Sequence, residues 1–284
     1  MWKDSYLVGV DIIDNQHKKL FEAIGALRDN LGKADLPNYK IQLTEITVFL
    51  KEYCINHFRD EEEYQRKIGF VGHMEHKKKH DKLIDDVLDY EKELIRSDFA
   101  PPVVRNFLGF IATWLIYHIG GEDQQIPKGK RSTAPARIED KDLVHEFAVS
   151  VENVLKILTG LSVQNIHHTI GSDRHINSGV SYKVGLIDAP NNKGIGFVYS
   201  PDIAFGVLKT MTGMEIAELN EVVYSAMQET SNIISANIAS LLSKMANTSV
   251  DIETPKQVQI DEIPNMSNSF LVHTRLGDME VVLY

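Results

Sequence analysis

The chain has 284 residues, 43% of them hydrophobic and 25% charged, which is ordinary globular usage with apolar material for about two domain cores. Its net charge of −10, with no Lys/Arg stripe to offset it, argues against nucleic acid and against an anionic membrane surface as partners. The single cysteine, Cys54, cannot close an internal disulfide, the opening Met-Trp-Lys-Asp-Ser lacks a signal core, and the most apolar run, Phe107 to Tyr117, is shorter than a bilayer, so a cytoplasmic protein is expected.

An arm over 1–14 leads into a first predicted helix from Asn15 to Leu31. A second runs from Asn38 to Tyr64 and is broken by Lys67-Ile-Gly-Phe-Val-Gly72. A third covers 73–96, Asp98 to Pro102 interrupts, and a fourth covers 103–119. Four helices with short connections predict an up-down-up-down bundle over 1–125. Ile126-Pro-Lys-Gly-Lys-Arg-Ser-Thr-Ala-Pro-Ala136 reads as an exposed linker, so the expected domains are 1–125 and 138–284, joined by 126–137. The second part opens with a helix over 140–159, followed by strands near 162–170, 179–188 and 194–199. Pro201 starts a short helix ending near Gly213, and a long helix spans 217–246. Strands near 249–260, 268–275 and 278–284 complete an α/β layered domain, making the fold class multidomain α and α/β.

The first part holds six of the eleven histidines, and their spacing is informative. His57 and Glu61 are four apart on the second helix, and His76 and His80 four apart on the third, so each pair shares one helical face. His17 opens the first helix; His118 ends the fourth, with Asp123 five residues on, past Gly120-Gly121. An antiparallel bundle can bring these ends together. Five imidazoles with two carboxylates exceed the needs of one metal ion and suit a pair of first-row metals, iron included. Two carboxylates can bridge such a pair, and an odd number of histidines leaves one position open for a small ligand. His73 is expected to face solvent, Lys77-Lys78-Lys79 to form a solvated face, and Cys54 to act as a packing residue.

The motifs Asp14-Asn-Gln-His17, His57-Phe-Arg-Asp-Glu61-Glu62, His76-Lys-Lys-Lys-His80 and Trp114-Leu-Ile-Tyr-His118-Ile-Gly-Gly-Glu-Asp123 resemble those of bacterial hemerythrins over 1–125. The resemblance implies a non-haem, oxo- or hydroxo-bridged pair of irons that takes dioxygen reversibly. It makes His17, His57, Glu61, His76, His80, His118 and Asp123 the ligands, with Glu61 and Asp123 bridging and Leu115 lining the oxygen pocket. Glu62, beside Glu61, is set aside because only Glu61 has the family's spacing from His57.

In the long helix, Leu219, Val223, Ala226, Met227, Thr230, Ile234 and Leu241 are predicted to form the core face. Ser225, Glu229 and Asn232 fall together on the opposite, exposed side. The pattern Ser225-x3-Glu229-x2-Asn232-x22-Pro255 resembles the signature of the chemotaxis phosphatases CheC, CheX and FliY. Leu158-Thr-Gly-Leu161, Lys193-Gly-Ile-Gly-Phe-Val, Pro201-Asp-Ile-Ala-Phe-Gly and Met211-Thr-Gly extend the likeness. One copy of the pattern is CheX-like and implies a homodimer. The family chemistry implies a phosphorylated CheY-like response regulator as partner, carrying its own Mg²⁺. Asn232 then orients the attacking water and Glu229 pairs with the regulator's lysine. The expectation is an oxygen or redox sensor coupled to a response-regulator phosphatase; the alternative is an oxygen or iron storage module beside a docking scaffold. His145, His167, His168, His175 and His273 carry no partner pattern and are taken as structural.

Overall fold

The computed structural model describes residues 2–31, 38–126, 140–170, 174–190, 193–264 and 268–284, which divide into two units, Met1–Thr133 and Ala134–Tyr284. Apart from Ile126, the expected linker lies outside the described residues.

The first unit contains α1 (Asp11–Asn30), α2 (Tyr39–Ile68), α3 (His73–Arg96) and α4 (Pro101–Tyr117). α1 packs on α2 and α4, and α3 on α2 and α4, the adjacency of an up-down-up-down bundle. α1 begins at Asp11 rather than Asn15. No side chain caps it from outside; the Asp14 carboxylate instead accepts hydrogen bonds from the Val8 and Gly9 amides at 2.7 and 3.0 Å. That contact braces the segment before the helix rather than capping its first amides, and the usual Ser/Thr/Asn start signal is missing. α2 outruns its expected end and stops at Gly69, which takes the left-handed conformation (φ 69°) that favours glycine. Pro101 and Pro102 occupy the first turn of α4, where a missing amide N–H costs nothing.

The helical stretch from Pro101 to Gln125 contains an 18-residue window of mean hydropathy 1.2, enough by length and composition to cross a membrane, and 67% of that window is buried inside the structure. Val104, Phe107, Leu108, Ile111 and Ile116 are buried with Leu20, Ile24, Leu43, Leu50 and Leu83, so this is the bundle's core helix. Past Tyr117 the helix widens into a π turn over His118–Glu122, then tightens to a 3-10 turn over Asp123–Gln125.

The second unit contains α5 (Asp140–Thr159), β1 (Asn165–Ile170), β2 (Val180–Ile187), β3 (Gly194–Tyr199), α6 (Pro201–Thr212) and α7 (Glu221–Ala246). Two short strands follow, β4 (Asp251–Ile252) and β5 (Lys256–Gln257), then β6 (Asn268–Thr274) and β7 (Gly277–Leu283). The sheet order is β1-β6-β7-β3-β2-β4, with β5 also on β2, and every described pairing is antiparallel. The single strand expected over 249–260 is thus two short pieces, because Pro255 removes a ladder donor between them.

β3 is buried along its whole length. Tyr199 reaches α7, its hydroxyl 2.9 Å from Ser231 Oγ. Val198 instead joins Val282, Ile176 and Ile263 in a second, smaller core. Gly196 makes room for that layer: a Cβ there would lie 2.4 Å from Ile263 Cγ2. α6 starts with Ser200 as N-cap and Pro201, and stops at Gly213 (φ 74°). α7 starts at Asn220, whose Oδ1 accepts from Val222 N and Val223 N, leaving Leu219 outside the helix.

Candidate metal centre

Helices α1, α2 and α3, together with the turns that follow α4, deliver side chains to one buried cluster. Glu61, His76, His80 and His118 form one group, and His17, His57, Glu61 and Asp123 a second, with ligand atoms in each group within 4.8 Å of one another. Seven residues predicted as ligands are thereby brought together, and all seven are buried.

The two carboxylates divide their oxygens between the groups. Glu61 Oε1 lies 2.8 Å from His76 Nε2 and 3.5 Å from His80 Nε2, while Oε2 lies 3.6 Å from His57 Nε2. Asp123 Oδ1 lies 3.2 Å from His76 Nε2 and 3.1 Å from His118 Nε2, while Oδ2 lies 3.2 Å from His17 Nε2. One oxygen of each carboxylate faces the three-histidine side and the other faces the two-histidine side. The π turn contributes here: His118 and Asp123 are five apart, a spacing an α-helix would splay, and the wider turn returns both to one face.

Buried polar atoms normally have hydrogen-bond partners, yet His17 Nδ1 and Nε2, His57 Nε2, His76 Nε2, Glu61 Oε2 and both Asp123 oxygens have none. Orphaned atoms that converge on one place, in an imidazole and carboxylate set, fit a pair of first-row divalent metals.

The outward nitrogens of His57 and His80 are tied down. Gln16 Nε2 donates to Asp60 Oδ2 at 2.8 Å, which turns Gln16 Oε1 toward His57 Nδ1 at 3.0 Å. Glu62 Oε1 lies 3.2 Å from His80 Nδ1, and that bond holds the Glu62 carboxyl below its usual range. An acceptor behind each ring places the proton on Nδ1 and leaves the Nε2 lone pair facing the cluster. Of the two adjacent glutamates, then, Glu61 is inside and Glu62 is behind His80. Phe58 stacks on His80 (centroids 3.9 Å, 8°) and Trp114 on His118 (4.2 Å, 20°), fixing the ring planes. Leu115, on α4, is buried.

Burial pushes His57 and His118 well below the ordinary imidazole range, so both stay neutral, as ligation requires. Burial also disfavours the His76 cation, but the Asp123 and Glu61 carboxylates against its Nε2 outweigh this and raise it to about 10. Burial opposes ionisation of Asp123, while His118 and the other imidazoles hold it well below the usual carboxylate range. Burial pushes the Cys54 thiol up to about 12, in keeping with a packing role.

Two expectations around the cluster need correction. His73 does not simply face solvent: it is half-buried, with Nδ1 3.2 Å from Gln65 Oε1. Lys79 is not merely part of a solvated face, since its Nζ lies 2.6 Å from Glu122 Oε2 and clasps α3 to the π turn. Neither contact had a sequence signal, because both partners are long side chains from separate segments.

On α7 the structure departs from the two-faced reading. Ser225 and Glu229 are buried, Glu229 to 6% exposure, and Asn232 is half-buried. Asn232 Nδ2 donates to Glu229 Oε2 at 3.3 Å, so the acid and the amide are adjacent but not freely presented. α7 is buried nearly all round; Thr230 and Ser231 return their hydroxyls to Ala226 and Met227 carbonyls, which makes polar residues compatible with the interior. Pro255 comes to the same helix, its carbonyl accepting from Gln228 Nε2 at 3.0 Å. His167, His168 and His273 bond Asn165, Asn268 and Asp278.

The family model of the hemerythrin HHE cation-binding domain matches residues 8–126. A bacteriohemerythrin of Clostridium acetobutylicum is 34% identical over 125 residues, covering 44% of this chain and 96% of the relative. Among solved structures, CheX of Vibrio vulnificus is similar at 20% identity, over 50% of this chain and 99% of its own, with a TM-score of 0.43. A CheX of Borrelia burgdorferi, solved with CheY, is similar at 22% identity, over 50% of this chain and 96% of its own, with a TM-score of 0.40.

Proposed function

The chain belongs to the hemerythrin family, and from that premise we propose that its first unit holds a pair of non-haem irons for reversible binding of dioxygen and senses oxygen or redox state. The observation that carries the reading is the split of Glu61 and Asp123, each with one oxygen toward either side of the cluster. When bound, the iron pair would supply the chemistry of reversible dioxygen binding. The protein's own residues do the rest. His76, His80 and His118 with His17 and His57 would hold it, together with the Glu61 and Asp123 carboxylates. Gln16 and Glu62 keep the Nε2 lone pairs of His57 and His80 directed inward. Phe58 and Trp114 stack on the His80 and His118 rings, and Leu115, buried on α4, is assigned to the ligand pocket. Purified protein should carry about two irons per chain, as this donor set requires. It should show a visible absorption that appears with dioxygen and vanishes on deoxygenation. His80→Ala or His118→Ala should lower the iron content. One stoichiometric zinc with no dioxygen-dependent spectrum would overturn the reading.

For the second unit the proposal is dephosphorylation of a CheY-like response regulator, with Mg²⁺ supplied by the regulator. Support comes from the Ser225-Glu229-Asn232-Pro255 pattern and from the adjacency of Glu229 and Asn232 on α7. Asn232 orients the water and Glu229 pairs with the regulator's lysine, which is catalysis by positioning. The burial of Glu229 favours a second reading, in which this unit only docks the regulator. Decay of the regulator's phosphoryl-aspartate decides between them. Glu229→Gln and Asn232→Ala should each abolish the acceleration, a loss of several kcal/mol of transition-state stabilisation on the scale of about 3 kcal/mol for one positioned donor. If the double variant matches wild type, docking alone remains. Comparing that decay in deoxygenated, oxygenated and oxidised protein tests whether iron state biases the phosphatase.

A further inference from the structure

We propose that Gln65 is a positioning residue of the metal centre: it holds the shared Glu61 carboxylate, weakens that carboxylate's grip on oxidised metal, and is itself oriented by His73. The inference rests on the di-iron reading of the cluster.

Gln65 lies one turn beyond Glu61 on α2 and is fully buried. Its Nε2 donates to Glu61 Oε1 at 2.8 Å. That oxygen also faces His76 and His80, so the amide acts on the three-histidine side. A glutamine amide can be turned either way, and two contacts fix it here. A carboxylate can only accept, so the NH₂ must face Glu61; the reverse orientation would set two oxygens against each other. The carbonyl then points to His73 Nδ1 at 3.2 Å, which must carry a hydrogen to bond it. His73, at the first position of α3, is half-buried. The result is a directed chain: His73 Nδ1–H donates to Gln65 Oε1, and Gln65 Nε2–H donates to Glu61 Oε1. Gln65 thus links the surface of α3 to the interior of the cluster through α2.

A hydrogen bond donated to a ligating oxygen draws electron density away from the metal. Ferric iron, with the higher charge, loses more by this than ferrous iron, so the chain favours the reduced pair. Removing it lets Glu61 donate more strongly and shifts the couple toward the oxidised state. A merely structural amide would change stability and leave the potential alone.

The test uses full-length, iron-loaded protein in a mediated redox titration followed by visible absorbance, with iron per chain and thermal unfolding of the metal-free protein measured alongside. In Gln65→Met the ratio of ferrous to ferric iron at fixed potential should fall about tenfold, which is ~59 mV for a one-electron step. His73→Ala should shift the ratio the same way by less, because the freed amide can turn. His73→Gln, which restores a donor, should return the wild-type potential. The double variant Gln65→Met with His73→Ala should equal Gln65→Met alone, the non-additivity of one connected chain. Should Gln65→Met fail to load iron, His73→Ala at the surface still decides. A wild-type potential in iron-loaded Gln65→Met or in His73→Ala overturns the proposal, as do fully additive shifts. Failure of wild-type protein to bind iron fells the di-iron reading and this proposal with it, whereas normal loading with unshifted potentials fells only the role of Gln65.

Discussion

Replacing His17, a proposed metal ligand, should stabilise the metal-free protein. His17 is fully buried, and its ring nitrogens lack a well-formed hydrogen-bond partner; Nε2 lies 3.2 Å from Asp123 Oδ2 as an electrostatic neighbour. A buried unsatisfied polar atom costs roughly 1–3 kcal/mol, and His17 holds two. His17→Leu removes both and keeps an apolar side chain of similar bulk against His57, whose ring sits 4.7 Å away edge-on. It forfeits the electrostatic approach to Asp123, which keeps His76 and His118 as neighbours. The net expectation without metal is a gain of about 1–3 kcal/mol. For a unit the size of Met1–Thr133 that is a rise of roughly 3–10 °C in Tm. With iron the sign reverses. The two-histidine side is left with His57 alone, and affinity should fall by more than the roughly 100-fold that loss of an outer partner can cost. Calorimetry of the full chain, once with chelator and once iron-loaded, reads both effects. If His17→Leu lowers the Tm in chelator as much as in iron, the orphaned nitrogens are not a store of instability and the reasoning fails.

Further outcomes follow from the packing and from the sequence pattern. Ile234→Ala on α7, a fully buried site, should lower stability by about 2–5 kcal/mol in denaturant titration, and activity only through that loss. Cys54 should resist thiol reagents at pH 8 until the bundle unfolds, since burial raises its thiol to about 12. Because that value lies above the ordinary 9.0, the stabilisation is fully present below pH 9 and is lost as pH rises through about 12; Cys54→Ala should flatten that part of the stability profile. Residues 138–284 expressed alone should sediment as a dimer, as the single CheX-like pattern implies, and a strictly monomeric fragment would count against it.

What the sequence disclosed depended on how local the information was. His57 with Glu61 and His76 with His80 were legible because a helical turn fixes i, i+4 pairs on one face before any tertiary contact forms. His118 with Asp123 was legible only as a motif. Its geometry depends on a π turn, which follows from no periodicity, though Gly120-Gly121 marks a place where the backbone can depart from α. The start of α1 lay earlier than the sequence suggests because no Ser/Thr/Asn cap marks it, and Asp14 instead holds the segment before the helix. Gln65, His73, Lys79 and Glu122 were invisible as partners, since each pair joins side chains from separate elements whose register only the fold sets. α7 failed for a different reason. Amphipathic reading assumes one wet face, but α7 is covered nearly all round, and its small hydroxyl residues satisfy themselves on the preceding turn. The polar character of Ser225, Glu229 and Asn232 therefore did not mean exposure. If this helix does act on a regulator, the pair must become accessible first: Asn232 already occupies one oxygen of Glu229, so a lysine from outside has to replace or share that bond. Mutating Asn232 accordingly removes two things at once, the amide proposed to orient water and the contact with Glu229. The Glu229→Gln and Asn232→Ala variants should then show non-additive effects on regulator dephosphorylation rather than two independent losses.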